Sequence, residues 1–194
     1  MLPTNRHPLF TVGYAPLANQ SFFELMQQHY IDAVVDVRSM PYSRVWSDFN
    51  RDILAHTLKK QSIHYVFMGD LCGARVEDAA AYADGVLVYE EVIKNKLFQQ
   101  AMRRLKEGLK RYRIALMCAE KDPLCCHRFL LICRCLAHEI DLYHLQHDGL
   151  LESQVDAESR LLALHQLHHP SLFCNLEERI QQAYAQQHVK VFGL

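Results

Sequence analysis

Short apolar, β-prone runs alternate five times along this chain with segments of helical periodicity, and that alternation leaves few folds open. Phe10–Tyr14, Ile31–Val37, Ile63–Met68, Ile114–Cys118 and Leu142–Leu145 carry the β-branched and aromatic residues that suit a pleated, buried surface. Between them, residues 21–26, 48–58, 92–109 and 129–137 repeat apolar side chains at helical spacing. The order predicts an α/β fold: a single domain with a mostly parallel five-stranded sheet, flanked by helices on both faces. Phe129–Ala137 is apolar almost all round, which places that helix in the middle of the fold. Residues 74–86, Ala-rich with three acidic side chains, read as a surface loop or lid. Two further helices, about 152–167 and 175–188, follow Gly149. Residues 1–150 are therefore expected to form the α/β domain, and 151–194 a C-terminal helical extension packed on it.

In parallel sheets, functional residues gather at the carboxyl ends of the strands. Asp36 and Arg38, Gly69 to Gly73, and Cys118 to Arg128 all fall there. The last segment, Cys118-Ala-Glu-Lys-Asp-Pro-Leu-Cys-Cys-His-Arg128, is the richest in chemistry. A cysteine at a strand end, ahead of a loop that enters a helix, has its thiolate favoured by backbone N–H groups and the helix dipole. His127 and Arg128 add donors and positive charge, and Lys121 adds more. Such an arrangement suits a nucleophilic thiolate, an anion site, or both. Glu120 has two readings, a carboxylate that orients Arg128 or His127, or a general acid/base. Cys118, Cys126 and His127 are also donors suited to zinc or iron, although adjacent ligands close a tetrahedron less readily than a Cys-x2-Cys pair.

Composition narrows the field of partners. The net charge of −1 gives no global basic excess for nucleic acid, though a local basic groove stays open. Seven cysteines, an odd number, read as thiols or ligands in a reducing compartment and not as a disulfide framework. No apolar run reaches the ~18 residues of a membrane span, and the N-terminal residues lack an apolar signal region. The expected location is cytoplasmic, with no membrane contact; oligomeric state is not legible.

Thr11-Val-Gly-Tyr14, Asp36-Val-Arg38 with Pro41 and Ser43-Arg44, Phe49-Asn50, Tyr65, Leu71-Cys-Gly73, and Cys118-Ala-Glu120 with Pro123 and Cys126-His-Arg128 resemble the markers of the bacterial and archaeal DUF488 family, which is defined by sequence alone. The chain departs from that pattern at Gly13-Tyr-Ala15, where the family has Gly-His-Ser, and at Cys72, where it has Gly. A looser resemblance concerns architecture. The order of Val-Val-Asp-Val-Arg38, the strand ending in Cys118, the loop, the apolar helix and a strand ending in His-Asp-Gly149 is similar to the rhodanese/Cdc25-like fold. That resemblance implies a strand-end cysteine cradled by backbone amides, carrying persulfide or attacking phosphate. The loop here is longer, so only the location of the site carries over.

Three functions compete on these residues, and the first is the one they favour. The first is a cysteine-dependent enzyme, a thiol-dependent transferase or hydrolase of sulfur, phosphate or related electrophiles. Its catalytic residues would be Cys118, Cys126, His127 and Glu120. Arg128, Asp36, Arg38, Ser43, Arg44, Gly73 and Lys121 would hold a small anionic substrate or nucleotide-like ligand, and no cofactor is required; Asp36 and Arg38 read equally well as a structural ion pair under the loop. The second is a nucleic-acid-acting protein for repair or base modification, with Arg38, Arg44, Arg75 and Arg128 on phosphates and Tyr42 and Trp46 stacking on bases. The third is a regulatory or structural module that binds zinc or iron through Cys118, Cys126 and His127.

Overall fold

The structure is a computed structural model that describes residues 7–76, 78–83, 85–170 and 173–193. In chain order its elements are β1 (Leu9–Gly13), α1 (Asn19–Gln28), β2 (Ala33–Asp36), α2 (Arg51–Lys60), β3 (His64–Phe67), α3 (Gly69–Cys72), β4 (Tyr82–Ala83), β5 (Val86–Leu87), α4 (Tyr89–Val92), α5 (Lys96–Gly108) and β6 (Ile114–Cys118). Then come α6, which opens as a π-helix over Arg128–Cys133 and continues as an α-helix over Arg134–Leu136, β7 (Leu142–Leu145), β8 (Leu151–Ser153), α7 (Gln154–Leu164) and α8 (Leu176–Phe192).

The main sheet has the order β3-β2-β6-β1-β7-β8. All five expected strands are present, and their pairings are parallel. The sixth strand corrects the expectation of five: β8 adds antiparallel to β7, with Tyr143 opposite Ser153. Gly149, at φ +86°, makes the turn between them, and the Ser153 side chain caps α7 by accepting from the Asp156 N–H. The helix expected from residue 152 therefore starts at Gln154, because a three-residue edge strand ends at the cap.

β1, β2 and β6 are buried along their whole length, as strands covered on both faces must be. Along β6 the side chains alternate. Ala115 and Met117 join Phe22, Met26, Leu54 and Leu58 of α1 and α2 on one face. Ile114, Leu116 and Cys118 join Ala101 and Leu105 of α5, and Leu131 and Ile132 of α6, on the other. The opposite side of α6 offers Phe129 and Leu130 to Ala157, Leu161, Ala183 and Tyr184 of α7 and α8. That double covering is why α6 is apolar all round, and it makes the C-terminal helices the outer layer of the same fold.

Two other expectations change. Residues 74–86 contain structure: β4 and β5 form a small hairpin in which Tyr82 faces Leu87, with Ala81 and Leu87 buried. The His188 ring of α8 bonds to the Leu87 carbonyl and ties the hairpin down. Glu77 and Asp84, within that segment, lie outside the described residues. The helix expected over 92–109 is split, because the Asn95 side chain accepts from the Leu97 and Phe98 N–H groups and starts α5 afresh. Among the described residues, no helix is long and apolar enough to cross a membrane.

Gly13 fixes how close the strand ends come. Beyond Cys118 the β6 chain stays bonded to β1, with Tyr14 N–H to Cys118 O at 3.0 Å and Ala15 N–H to Ala119 O at 3.0 Å. A Cβ on Gly13 would lie 1.8 Å from the Glu120 carbonyl oxygen, and that atom is backbone, which cannot swing away. Gly13→Ala is expected to lower the unfolding free energy by about 2–4 kcal/mol, measured by urea denaturation, because the loop after β6 must be displaced.

Candidate metal centre

β6 delivers Cys118 to the carboxyl edge at the middle of the sheet. The chain then leaves the edge, makes a short 3-10 turn over Pro123–Cys125, and returns with Cys126 and His127 before entering α6. Asp122 starts that turn by accepting from the Leu124 N–H. The excursion brings back two side chains to meet the one it left behind. The Sγ atoms of Cys118 and Cys126 and a ring nitrogen of His127 all lie within 4.8 Å of one another. The three residues are 4%, 1% and 4% exposed.

The imidazole is oriented. His127 Nε2 donates to the Val37 carbonyl at 2.9 Å, and Nδ1 stands 3.7 Å from both sulfurs. A carbonyl can only accept, so in the neutral ring the proton is on Nε2 and the Nδ1 lone pair faces the thiols. Glu120 completes the cluster from its exposed side, with Oε2 accepting from Cys118 Sγ at 2.9 Å and from Cys126 Sγ at 3.2 Å.

Arg128 holds the loop in place. It is 1% exposed, and its guanidinium donates to the main-chain carbonyls of Glu120 at 2.6 Å and Lys121 at 2.9 Å, while Nε donates to Thr11 Oγ1 at 3.3 Å. A buried cation favours negative charge nearby, and it bears on the two thiols beside it. The two cysteines titrate as a pair. The hydrogen bond to Cys126, burial and neighbouring negative charge raise Cys118 well above the ordinary thiol range. Burial would raise Cys126 too, but the bond from Cys118 and the charges of Arg128 and His127 carry it well below that range. Burial depresses His127, and the Cys126 thiolate more than reverses this, so its pKa ends raised.

From Arg128 a polar chain runs out to the C-terminal helices. Thr11 Oγ1 bonds to His144 Nδ1 at 2.8 Å, and His144 Nε2 to Gln154 Oε1 at 3.1 Å. Gln154 Nε2 donates to the Tyr184 hydroxyl at 2.7 Å, which donates to Glu158 at 2.9 Å. His144 lies in the strand expected over Leu142–Leu145, and sequence reasoning gave no polar role to it, to Thr11, to Gln154 or to Tyr184. Only Thr11, inside the Thr-Val-Gly-Tyr14 run, left a signal.

The remaining expected site residues are arranged differently. Asp36 and Arg38 form a buried ion pair at 2.7 Å, and Arg38 also donates to the Phe49 carbonyl and the Tyr14 hydroxyl. Tyr65 adds a bond to Asp36 at 2.7 Å, so this array is engaged with itself. Ser43 accepts from the Trp46 N–H and shapes its own loop, and Arg44 and Tyr42 are exposed. Gly73 packs against Ser39, and Cys72 bonds to the Met68 carbonyl. Lys121 is exposed, and Cys133 is fully buried with its thiol pKa raised by burial. Of the arginines named for anions or phosphates, Arg38 and Arg128 have their guanidinium donors committed to protein, while Arg44 and Arg75 lie at the surface.

The fold and cluster define an α/β protein with a cysteine–histidine centre at the sheet edge. A family described as "Domain of unknown function DUF488" matches residues 19–134, more than half of the sequence. The chain belongs to that DUF488 family. No curated protein and no solved structure matches it.

His144 makes the polar chain measurable. Burial first, and then the charge of Arg128, lowers its pKa from 6.5 to about 3. The unfolded chain therefore protonates at this residue below pH 6.5 while the folded chain stays neutral until about pH 3. The stability that His144 supplies is complete above this window and falls as pH drops through it. Urea unfolding at pH 7.5 and pH 5 should show a loss of about 2 kcal/mol from this residue, and His144→Gln should remove that share of the difference.

Proposed function

We propose that this protein binds one soft divalent metal ion, zinc in the first instance, through Cys118, Cys126 and His127. The observation that carries the reading is the placement of His127, whose Nδ1 is 3.7 Å from both sulfurs while Nε2 is tied to the Val37 carbonyl. Tetrahedral zinc with Zn–S near 2.3 Å and Zn–N near 2.0 Å sets nitrogen and sulfur about 3.5 Å apart. A second bond from the imidazole N–H to a carbonyl is the usual way a ligating histidine is aimed. Charge supports the same reading. Two buried thiols side by side cannot both ionise easily, and a divalent ion removes that conflict, with Arg128 alongside to stabilise the thiolates.

A second reading has its own observation. Without metal, Glu120 accepts from both thiols and Cys126 is the lower-pKa partner, so the pair would act as a nucleophilic dithiol in a cysteine-dependent enzyme. The anion-binding half of that reading finds no free guanidinium on Arg128 or Arg38.

Elemental analysis separates the two. Protein prepared without chelator is expected to carry about one zinc per chain, and Cys126→Ser or His127→Ala to weaken zinc binding by at least about 100-fold, with Cys133→Ser close to wild type. Metal-free protein that takes up no zinc, and in which Cys118 or Cys126 is alkylated much faster than Cys133, would replace the metal reading with the dithiol one.

A further inference from the structure

We infer that Glu120 is the fourth ligand of the bound ion, so that Cys118, Glu120, Cys126 and His127 form a closed four-coordinate site that staples the loop. This rests on the metal reading above. The distances come first. Glu120 Oε2 lies 2.9 Å from Cys118 Sγ and 3.2 Å from Cys126 Sγ. Around tetrahedral zinc a carboxylate oxygen and a thiolate sulfur sit about 3.6 Å apart, so the carboxylate already stands within ligand spacing of both sulfurs. Oε2 is not among the donor atoms that lie mutually within 4.8 Å, and since it is close to both sulfurs, the gap it has to close is the one to His127.

Metal binding itself supplies the reason to close it. Oε2 accepts hydrogen bonds from both thiols, and zinc binding releases those two protons to solvent. A carboxylate left at the same place between two thiolates is repelled by both unless it bonds to the ion that they hold. The main chain of Glu120 stays fixed, gripped by Arg128 through its carbonyl at 2.6 Å and abutting Gly13. Only the side chain has to turn, and an exposed side chain turns without repacking the core.

Charge and connectivity point the same way. Two thiolates and a neutral imidazole balance a divalent ion and leave the Arg128 guanidinium, 1% exposed beside them, as an uncompensated buried cation. The Glu120 carboxylate brings ion, ligands and guanidinium to neutrality. Two ligands then come from the limb that leaves β6, Cys118 and Glu120, and two from the limb that enters α6, Cys126 and His127. Closure by four protein ligands is the pattern of structural zinc. The ion therefore ties the end of β6 to the start of α6, alongside the Arg128 clamp.

The test uses the full chain, wild type and Glu120→Ala, with two readouts: zinc affinity, and the visible bands of the cobalt(II)-loaded protein during titration with azide. The wild-type bands are expected to be tetrahedral and unmoved by azide. In Glu120→Ala azide should shift them saturably by entering the vacated position. Zinc should bind the variant at least about tenfold more weakly, since loss of a direct ligand costs no less than the 10–100-fold of an outer-shell partner. Azide that shifts the wild-type bands as readily as those of the variant, or equal zinc affinity in the two proteins, would overturn the inference. Bands that azide moves in neither protein would mean that another donor closes the fourth position, which overturns it as well. Failure of the wild type to bind either metal would instead overturn the metal reading itself. Glu120 is exposed, so the variant is expected to fold, and the wild-type azide result stands without it.

Discussion

A guanidinium with almost no access to water holds the loop that matters most in this protein. Arg128 has left solvent to grip two consecutive carbonyls, those of Glu120 and Lys121, on the outgoing limb of the excursion that starts at Cys118. Cys126 and His127 precede Arg128 immediately, so the same grip sets how the returning limb meets the outgoing one. Burying a cation is costly unless it is hydrogen-bonded and faces negative charge. The carbonyls and Thr11 meet the first need, and Cys126, whose thiol is carried well below its ordinary range against the opposing effect of burial, is placed to meet the second. The clamp and the cluster are therefore one electrostatic unit.

That unit also explains why the C-terminal helices belong to the fold. Phe129 and Leu130, the residues after the clamp, give α7 and α8 their docking surface, and the Thr11–His144–Gln154–Tyr184 chain carries polar contact from the guanidinium to the same helices. Phe129 packs against the rings of both His144 and Tyr184. A disturbance in α8 has a short path of packed and bonded groups to the site.

Much of this was legible beforehand, for physical reasons that differ between elements. The strands announced themselves because parallel strands covered on both faces need unbroken apolar runs, and Ile114–Cys118 is one. The loop from Cys118 to Arg128 stood out because so many polar side chains crowd a strand end. What sequence could not supply was how the donors are used. Arg128 looks like an anion binder as a charge, yet its partners are the main-chain carbonyls of Glu120 and Lys121 and the Thr11 hydroxyl, whereas for Arg38 the pairing with Asp36, two residues away, was one of the two readings the sequence left open. His127 is aimed by a main-chain carbonyl at Val37, and a carbonyl leaves no mark in a side-chain pattern. β8 was hidden because three residues cannot show an alternation, and the split before α5 because Asn95 caps without breaking the apolar face. The clustering of the DUF488 markers at one sheet edge is clearer now, in two groups: Cys118, Glu120, Cys126, His127 and Arg128 around the sulfurs, and Asp36, Arg38, Tyr65 and Tyr14 in a polar array beside them.

The central claim is that two sulfurs and one imidazole form a single coordination shell. X-ray absorption at the metal edge of zinc-loaded protein tests it most directly. The account predicts two sulfurs at about 2.3 Å and one imidazole nitrogen at about 2.0 Å, with any further scatterer a light atom. A shell made only of oxygen and nitrogen, or one with four sulfurs, would contradict it.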